Sequence, residues 1–593
     1  MEYQSVYELF QGVSTTNSDK PAFRYKKGGA WVELTWAEAR DLVNRVSKSL
    51  IALDVKKGDR VCLLSRSRLE WSLCDLGMVN CGTVTVGIYP SNLASDCAYI
   101  INHSDAEVIF VENREQLEKI FEVRGQLSKL RRIVIFDGSS DPASAVLSWD
   151  EFLAGGDAVD EELRKSRGEE IQPDDLATLV YTSGTTGVPK GAMITHKNLI
   201  FTSWSAGQSL YMEPEFLTLL FLPLAHIFAR LIAYCCVRNA NLVVFAEDIT
   251  TVGEDLREIR PHFIVSVPRI YEKVYDKVLS GAEAAGGIKL KLFNFAIGTG
   301  MQVSKLQQAR KPIPTGLKLK HAIADKLVLH KIRDALGGRL VWGVSGAAPL
   351  NPMIAEFFHA CGVMVLEGIG MTENTSFTNV NRIDNNKFGT VGPLGPGIEQ
   401  RIADDGEVLY RGDNVMKGYF KNPEATAETI DSDGWLHTGD IGEIDDDGFL
   451  RITDRKKDLI VTAGGKNVAP QRIERIMRTS HFIAQVVAVG DKRKFIAALI
   501  TLDPDSIQQW AVEHGIDDSS TADLSGHAEV RKLIEREVEE RNRQLASFES
   551  IKRFHILPQD FTIERGEMTP TMKIKRKVVV ERYAKELDAL YQD

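Results

Sequence analysis

Short apolar runs alternate with amphipathic stretches along the first two-thirds of the chain. "DRVCLLS" (59–65), "AEVIFVEN" (106–113), "LATLVYT" (176–182) and "FLPLA" (221–225) predict buried strands. So do "NLVVFAED" (241–248), "HFIVSVP" (262–268) and "RLVWGVSG" (339–346). Between them lie patterns such as "TWAEARDLVNRVSKSLIAL" (35–53), whose apolar positions recur at helical period. Val-, Ile- and Leu-rich runs interleaved with helices predict parallel sheets covered on both faces. The class is α/β.

The texture changes near Pro393. "GEVLYRGDNVMKGYF" (406–420) and "GEIDDDGFLRITDR" (442–455) are turn-rich hairpin patterns, with Asp447-Gly448 as a strong turn signal. They predict a β-barrel-like subdomain closing the N-terminal part. A charged stretch, "DRKKD" (454–458), follows. Beyond it come a strand (459–462), a helix (470–479), two strands (484–490 and 495–501), a helical region and a basic tail. With 593 residues the chain exceeds the ~250–300 that one core supports. The expected organisation is a large N-terminal domain (1–453), a hinge (454–458) centred on Lys457, and a small mobile α+β C-terminal domain (459–593).

Composition is that of an ordinary folded enzyme, 44% hydrophobic and 26% charged. The net charge of -10 gives no global basic footprint, which argues against nucleic acid as the main partner. The seven cysteines include no C-x-x-C pair and are odd in number, so neither a zinc site nor a disulfide framework is implied. The first residues, "MEYQSVYELFQG", lack the basic region and apolar run of a signal peptide, and a cytoplasmic protein is expected. The run "FLTLLFLPLAHIFARLIAYCCV" (216–237) is long enough to span a bilayer, but Pro223, His226 and Arg230 sit in its middle. A charged centre is costly in lipid, so this segment is expected to be a buried core passage. Peripheral membrane contact and homodimer formation stay open.

The chemistry concentrates in "YTSGTTGVPKGAMITH" (181–196). A strand delivers the chain into Ser183-Gly184-Thr185-Thr186-Gly187, where Gly184 and Gly187 permit tight turning with amides pointing outward as an anion nest. Thr182, Ser183, Thr185 and Thr186 add hydroxyls, and Lys190 adds a point charge. Two residues separate Gly187 from Lys190, so this is not the Walker pattern G-x-x-x-x-G-K-[ST]. The loop resembles the signature of the adenylate-forming (AMP-binding) superfamily. Further motifs similar to that family's follow in its order: "LPLAHIF" (222–228), "GAAPL" (346–350), "GMTE" (370–373), "GWLHTGD" (434–440), "DRKKDLIVTAGGKNVAP" (454–470) and "MTPTMKIKR" (568–576). "SVPRIYEKVY" (266–275) and "GGKNVAP" look most like long-chain fatty acyl-CoA synthetases of a bacterial type.

The resemblance implies a two-step reaction. A fatty carboxylate attacks the α-phosphorus of Mg-ATP, pyrophosphate leaves, and the CoA thiol then takes the acyl group and releases AMP. It implies that Lys573 bridges carboxylate and α-phosphate, that His226 stands near the acid, that Thr372 is a further catalytic residue, and that Glu373 holds magnesium, which suits one or two carboxylates plus substrate phosphates. Asp440 would accept hydrogen bonds from the ribose hydroxyls, Arg455 would contact ribose and phosphate, and Gly346, Ala347 and Ala348 would wall the adenine. Gly464 and Gly465 would admit the pantetheine arm of CoA after the C-terminal domain turns. The pattern departs from the family twice: Met572 replaces the glycine before the lysine, and Ile369 replaces the aromatic that stacks on adenine. The expected partners are fatty acid, ATP and CoA. A fatty acyl-AMP ligase serving a carrier protein is the alternative, and a catalytically silent binding protein would not need Lys190, Glu373, Asp440 and Lys573 together.

Overall fold

A computed structural model of the chain describes residues 2–182, 188–463, 466–516, 520–569 and 572–592. Two large sheets dominate the N-terminal part. In the first, the strands Val146–Ser148, Arg132–Asp137, Val108–Asn113, Arg60–Leu64, Val84–Ile88 and Leu176–Thr182 run parallel, in that spatial order. Lys190–Thr195 closes one edge antiparallel to Leu176–Thr182. Arg60–Leu64 and Val84–Ile88 are buried almost throughout, which explains their unbroken apolar sequence.

The second sheet has eight strands. Its parallel centre is Val365–Ile369, Trp342–Ser345, Phe263–Ser266, Leu217–Leu220 and Leu242–Phe245. The N-terminal hairpin Pro21–Lys27/Ala30–Thr35 adds to it beside Leu242–Phe245. Helix Trp36–Ala52 starts at this hairpin with a capping box: Thr35 Oγ1 accepts the Glu38 amide at 3.2 Å, and Glu38 Oε2 accepts the Thr35 amide at 2.8 Å. Trp36, Ala39, Val43, Val46 and Leu50 form its buried stripe.

One strand lies elsewhere than its sequence predicts. The 221–225 stretch is a turn, and the strand is the preceding Leu217–Leu220. Pro223 has no amide to donate to a ladder, so the sheet ends before it. The turn closes with the His226 amide on the Pro223 carbonyl (3.0 Å), and helix Ile227–Arg238 begins at once. The long apolar run is thus a strand, a turn and a buried helix. Among the described residues no helix is long and apolar enough to cross a membrane.

The turn-rich region forms a four-stranded antiparallel meander, Glu399–Ile402, Glu407–Arg411, Leu436–Ile444 and Leu450–Arg455. Asp454 and Arg455 belong to its last strand, so the chain leaves the meander at Lys456. The C-terminal domain has its own core on a three-stranded sheet of Ile483–Val489, Ile496–Leu502 and Ile551–Ile556, packed by helices Pro470–Met477, Pro504–Glu513 and Ala528–Asn542. The expected α/β class with a smaller α+β C-terminal domain is the observed architecture.

Candidate active site

A cleft of about 2480 Å3 runs between the two large sheets, the meander and the C-terminal domain. Strand Leu176–Thr182 ends at its edge and strand Lys190–Thr195 leaves from it, with Thr182 and Lys190 as register partners. The five loop residues Ser183, Gly184, Thr185, Thr186 and Gly187 lie outside the described residues, as do Gly464 and Gly465. Thr182 and Lys190 line the cleft.

Lys190 places its ammonium 5.0 Å from the centre of the Tyr419 ring. The Tyr419 hydroxyl donates to Glu373 Oε1 at 2.6 Å. One aromatic side chain thus holds the cation against its ring and the carboxylate at its hydroxyl. Burial, then the Glu373 charge, raise the Tyr419 phenol, so it stays a donor. Glu373 sits in the short 3-10 turn Thr372–Asn374 and is nearly buried, with its carbonyl accepting the Met416 amide at 2.8 Å. Tyr419 occupies one of its oxygens, and among the described residues no hydrogen bond is made to the other. Among the described residues no group of three or more His, Cys, Asp or Glu side chains gathers to hold a metal alone. A single carboxylate completed by substrate phosphates is the magnesium arrangement that fits.

Asp440 and Arg455 face each other across adjacent strands of the meander, with Arg455 Nε 2.6 Å from Asp440 Oδ1. Asp440 is buried, which raises its carboxyl, while Arg455 and then Lys573 oppose that rise. Beneath it the Thr438 hydroxyl accepts the Asp440 amide at 3.0 Å and donates to the Val408 carbonyl at 2.7 Å. Glu407, which the sequence motifs do not single out, accepts the Gly439 amide (2.8 Å) and pairs with Lys456 (3.0 Å), fixing the Gly439 turn before Asp440.

Lys573 enters this site from the C-terminal domain. Its amide donates to Thr569 Oγ1 (3.0 Å) and its carbonyl accepts the Thr569 amide (2.8 Å), which closes a tight turn. Met572 in that turn has φ +61°, the left-handed region that a glycine would occupy without strain. The Lys573 side chain is open to cleft water but ringed by protein. That enclosure lowers its pKa, Arg455 lowers it further, and Asp440 and Glu373 act the other way.

His226 caps helix Ile227–Arg238, its Nδ1 accepting the Phe228 amide at 3.1 Å. Burial, then Lys573, push its pKa down to about 4. Near neutral pH the ring is therefore uncharged, and with Nδ1 engaged as acceptor its proton sits on Nε2. A buried ion pair fixes this helix: Arg230 Nε donates to Asp75 Oδ2 at 2.8 Å and Tyr234 donates to the same oxygen at 2.9 Å. Arg230 also donates to Thr178, inside the strand that leads to the glycine-rich loop.

Gly346, Ala347 and Ala348 follow strand Trp342–Ser345 and line the cleft with Thr372 and Ile369. A Cβ on Gly346 would stand 2.9 Å from the Phe228 ring. On Gly370 it would stand 2.1 Å from the Ser376 carbonyl carbon, so the backbone before Thr372 can follow this path only as glycine. The described site residues His226, Thr372, Glu373, Asp440, Arg455 and Lys573 thus all line one cleft. Tyr419 went unmarked because its role rests on contacts with Lys190 and Glu373, residues distant in sequence.

Two family models match. The AMP-binding enzyme model covers residues 10–420, and the AMP-binding enzyme C-terminal domain model covers 457–593. The long-chain-fatty-acid--CoA ligase FadD15 of Mycobacterium bovis is 40% identical, over 95% of this chain and 93% of that protein. Long chain acyl-CoA synthetase 7, peroxisomal, of Arabidopsis thaliana is 32% identical over 95% of this chain and 82% of its own length. Among solved structures, an anthranilate CoA ligase in complex with anthranoyl-AMP superposes with TM-score 0.74 at 20% identity, covering 99% of this chain and 98% of that one. The adenylation domain of a carboxylate reductase from Mycobacterium chelonae gives TM-score 0.78 at 22% identity, covering 100% and 92%; these two likenesses bear on the fold. The chain belongs to the AMP-binding, adenylate-forming enzymes.

Proposed function

We propose that the protein is a long-chain fatty acid–CoA ligase whose first half-reaction runs in the arrangement described above. The observation that carries the assignment of roles is the convergence of Lys573, from one domain, on Glu373, Asp440, Arg455 and His226 of the other.

The acid binds with its carboxylate at the cleft end of helix Ile227–Arg238. His226 Nε2–H donates to one carboxylate oxygen, and Thr372 contributes at the facing turn. The Lys573 ammonium lies between the carboxylate and the α-phosphate of ATP, offsetting the repulsion of two anions and the charge that builds as the C–O–P bond forms. Asp440 and Arg455 hold the ribose, and Gly346, Ala347 and Ala348 wall the adenine with Ile369 packing on its face. The loop 183–187 and Lys190 hold the β- and γ-phosphates, which leave as pyrophosphate. Glu373 would hold the magnesium ion, which supplies charge neutralisation on those phosphates.

The second half-reaction needs Lys573 withdrawn. The C-terminal domain turns about 454–458, Gly464 and Gly465 replace it, and the CoA thiol attacks the mixed anhydride carbonyl to expel AMP. Peripheral membrane contact belongs to the same reading.

The test is acid-dependent pyrophosphate release over a series of chain lengths, with and without CoA. Thioester formation that is greatest with long chains is expected. Accumulation of acyl-AMP with no thioester would overturn the ligase assignment in favour of transfer to a carrier protein.

A further inference from the structure

Among the described residues, six exposed large apolar side chains fall on two consecutive helical segments outside the lining of the cleft. Helix Gly287–Gln308 turns Ile288, Leu292 and Phe295 to solvent, at spacings of four and three residues that place them on one face. Its other face, with Phe293, Ala296 and Val303, packs inward against helix Pro352–Ala360. Helix Thr315–Ala324 turns out Leu319 and Ile323 in the same way. The π-helical turn Asp325–Leu329 follows, and its wider winding keeps Leu327 in line with them. Ile288 is 78% exposed and Leu319 66%, values that no monomer core requires.

The two helices pack against each other as a hairpin through 309–314. At the common rise of a helix an antiparallel pairing sets Phe295 level with Leu327, at the end of each stripe. The charge is equally one-sided. Residues 287–333 hold ten lysines and arginines against one acidic residue, Asp325, in a chain whose net charge is -10. Lys289 and Lys291 on one helix and Lys318, Lys320 and Lys326 on the other are exposed and flank the apolar stripes. Among the described residues the only ion pair within this segment is Arg333–Asp325, at 2.6 Å.

We propose that this outward face of the 287–333 hairpin docks the protein on an anionic phospholipid bilayer. The apolar side chains enter the acyl boundary and the surrounding lysines meet the headgroup phosphates. The pattern argues against the other occupants. A second copy joined face to face would set the five flanking lysines of one chain against the five of the other. A nucleic acid backbone would satisfy the lysines and leave six apolar side chains without a partner. Helix Pro268–Ala285 packs against the hairpin and lines the cleft with Pro268, Arg269 and Ile270. The docked face therefore lies one helical layer from the site, and the significance of that closeness rests on the fatty acid reading.

The experiment is flotation of the full-length protein with vesicles of phosphatidylcholine alone and of phosphatidylcholine mixed with phosphatidylglycerol. Binding to the mixed vesicles, lost in high salt, and none to phosphatidylcholine alone are expected. The variants Lys318→Glu/Lys320→Glu and Leu319→Ser/Ile323→Ser change exposed positions only. Each should lower vesicle partition by about tenfold or more and leave thioester formation on a freely soluble acid at the wild-type rate. Failure of the wild type to bind mixed vesicles, or variants that bind as it does, would overturn the proposal. So would a wild-type dimer that Leu319→Ser/Ile323→Ser converts to monomer without vesicle affinity. Absence of any thioester in solution would count against the ligase reading and leave the vesicle result standing.

Discussion

Lys573 and the methionine before it pose different demands on one turn. The lysine must carry its charge into the cleft, while Met572 holds φ +61° with its side chain 64% exposed. Lys573→Ala should cut pyrophosphate release by about 10²-fold or more and spare thioester formation from supplied acyl-AMP; equal loss in both half-reactions would remove its assigned role. Met572→Gly should stabilise the protein by about 0.5–1 kcal/mol, the relief of left-handed strain less the entropy a glycine adds to the unfolded chain. A lower urea midpoint would show that the methionine packs more usefully than its exposure suggests. At this scale the sequence is informative about which residues gather in the cleft. Lys573, Glu373 and Asp440 stand out by motif, and the glycine-to-methionine change flagged a turn whose backbone is unusual. Tyr419 and Glu407 were not visible, because each acts through partners that only folding supplies.

Strand ends set the site, and the end of Leu450–Arg455 holds an unusual carboxyl. Asp454 is buried and accepts the Arg455 amide at 2.5 Å, and among the described residues its other oxygen has no hydrogen-bond partner. Burial pushes its pKa up to about 7; the Asp458 and Glu474 charges add to this, and the Arg455 amide and Arg576 oppose it. A free carboxyl titrates at about 4. The preference of this arrangement for the neutral acid is thus fully present below about 4 and disappears as pH rises through about 7. Adenylation should therefore weaken on the alkaline side of neutrality, and Asp454→Asn should flatten that limb. An unchanged profile would place the titration elsewhere. His226 should contribute nothing there, since it loses its proton near pH 4. Elements were readable from periodicity where both faces are buried. The 221–225 stretch was not, because an apolar run says nothing of where the ladder stops, and Pro223 stops it early.

The C-terminal domain is held over the cleft by a few ion pairs. Arg478 meets Glu272 at 3.0 Å and Arg269 approaches Asp503 at 3.8 Å, both across the domain boundary. Partly exposed pairs of this kind are worth about 0.2–1 kcal/mol each, small enough to be broken in every turnover. Glu272→Gln should slow adenylation about two- to fivefold without slowing thioester formation from acyl-AMP, measured in separate half-reaction assays. Equal slowing of both would mean that the pair serves the fold rather than the pose. The two-domain plan was legible as a change of texture, while the contacts that hold it join residues more than two hundred positions apart in sequence, such as Glu272 and Arg478.

The buried pair of Arg230 and Asp75 has a different scope. Arg230 lies one turn into the helix that His226 begins, and it also grips Thr178 in the strand that ends at the glycine-rich loop. It therefore works as a gauge block. The span between the head of that helix and the strand beside it is set by a rigid internal spacer, so a change at one end is felt at the other.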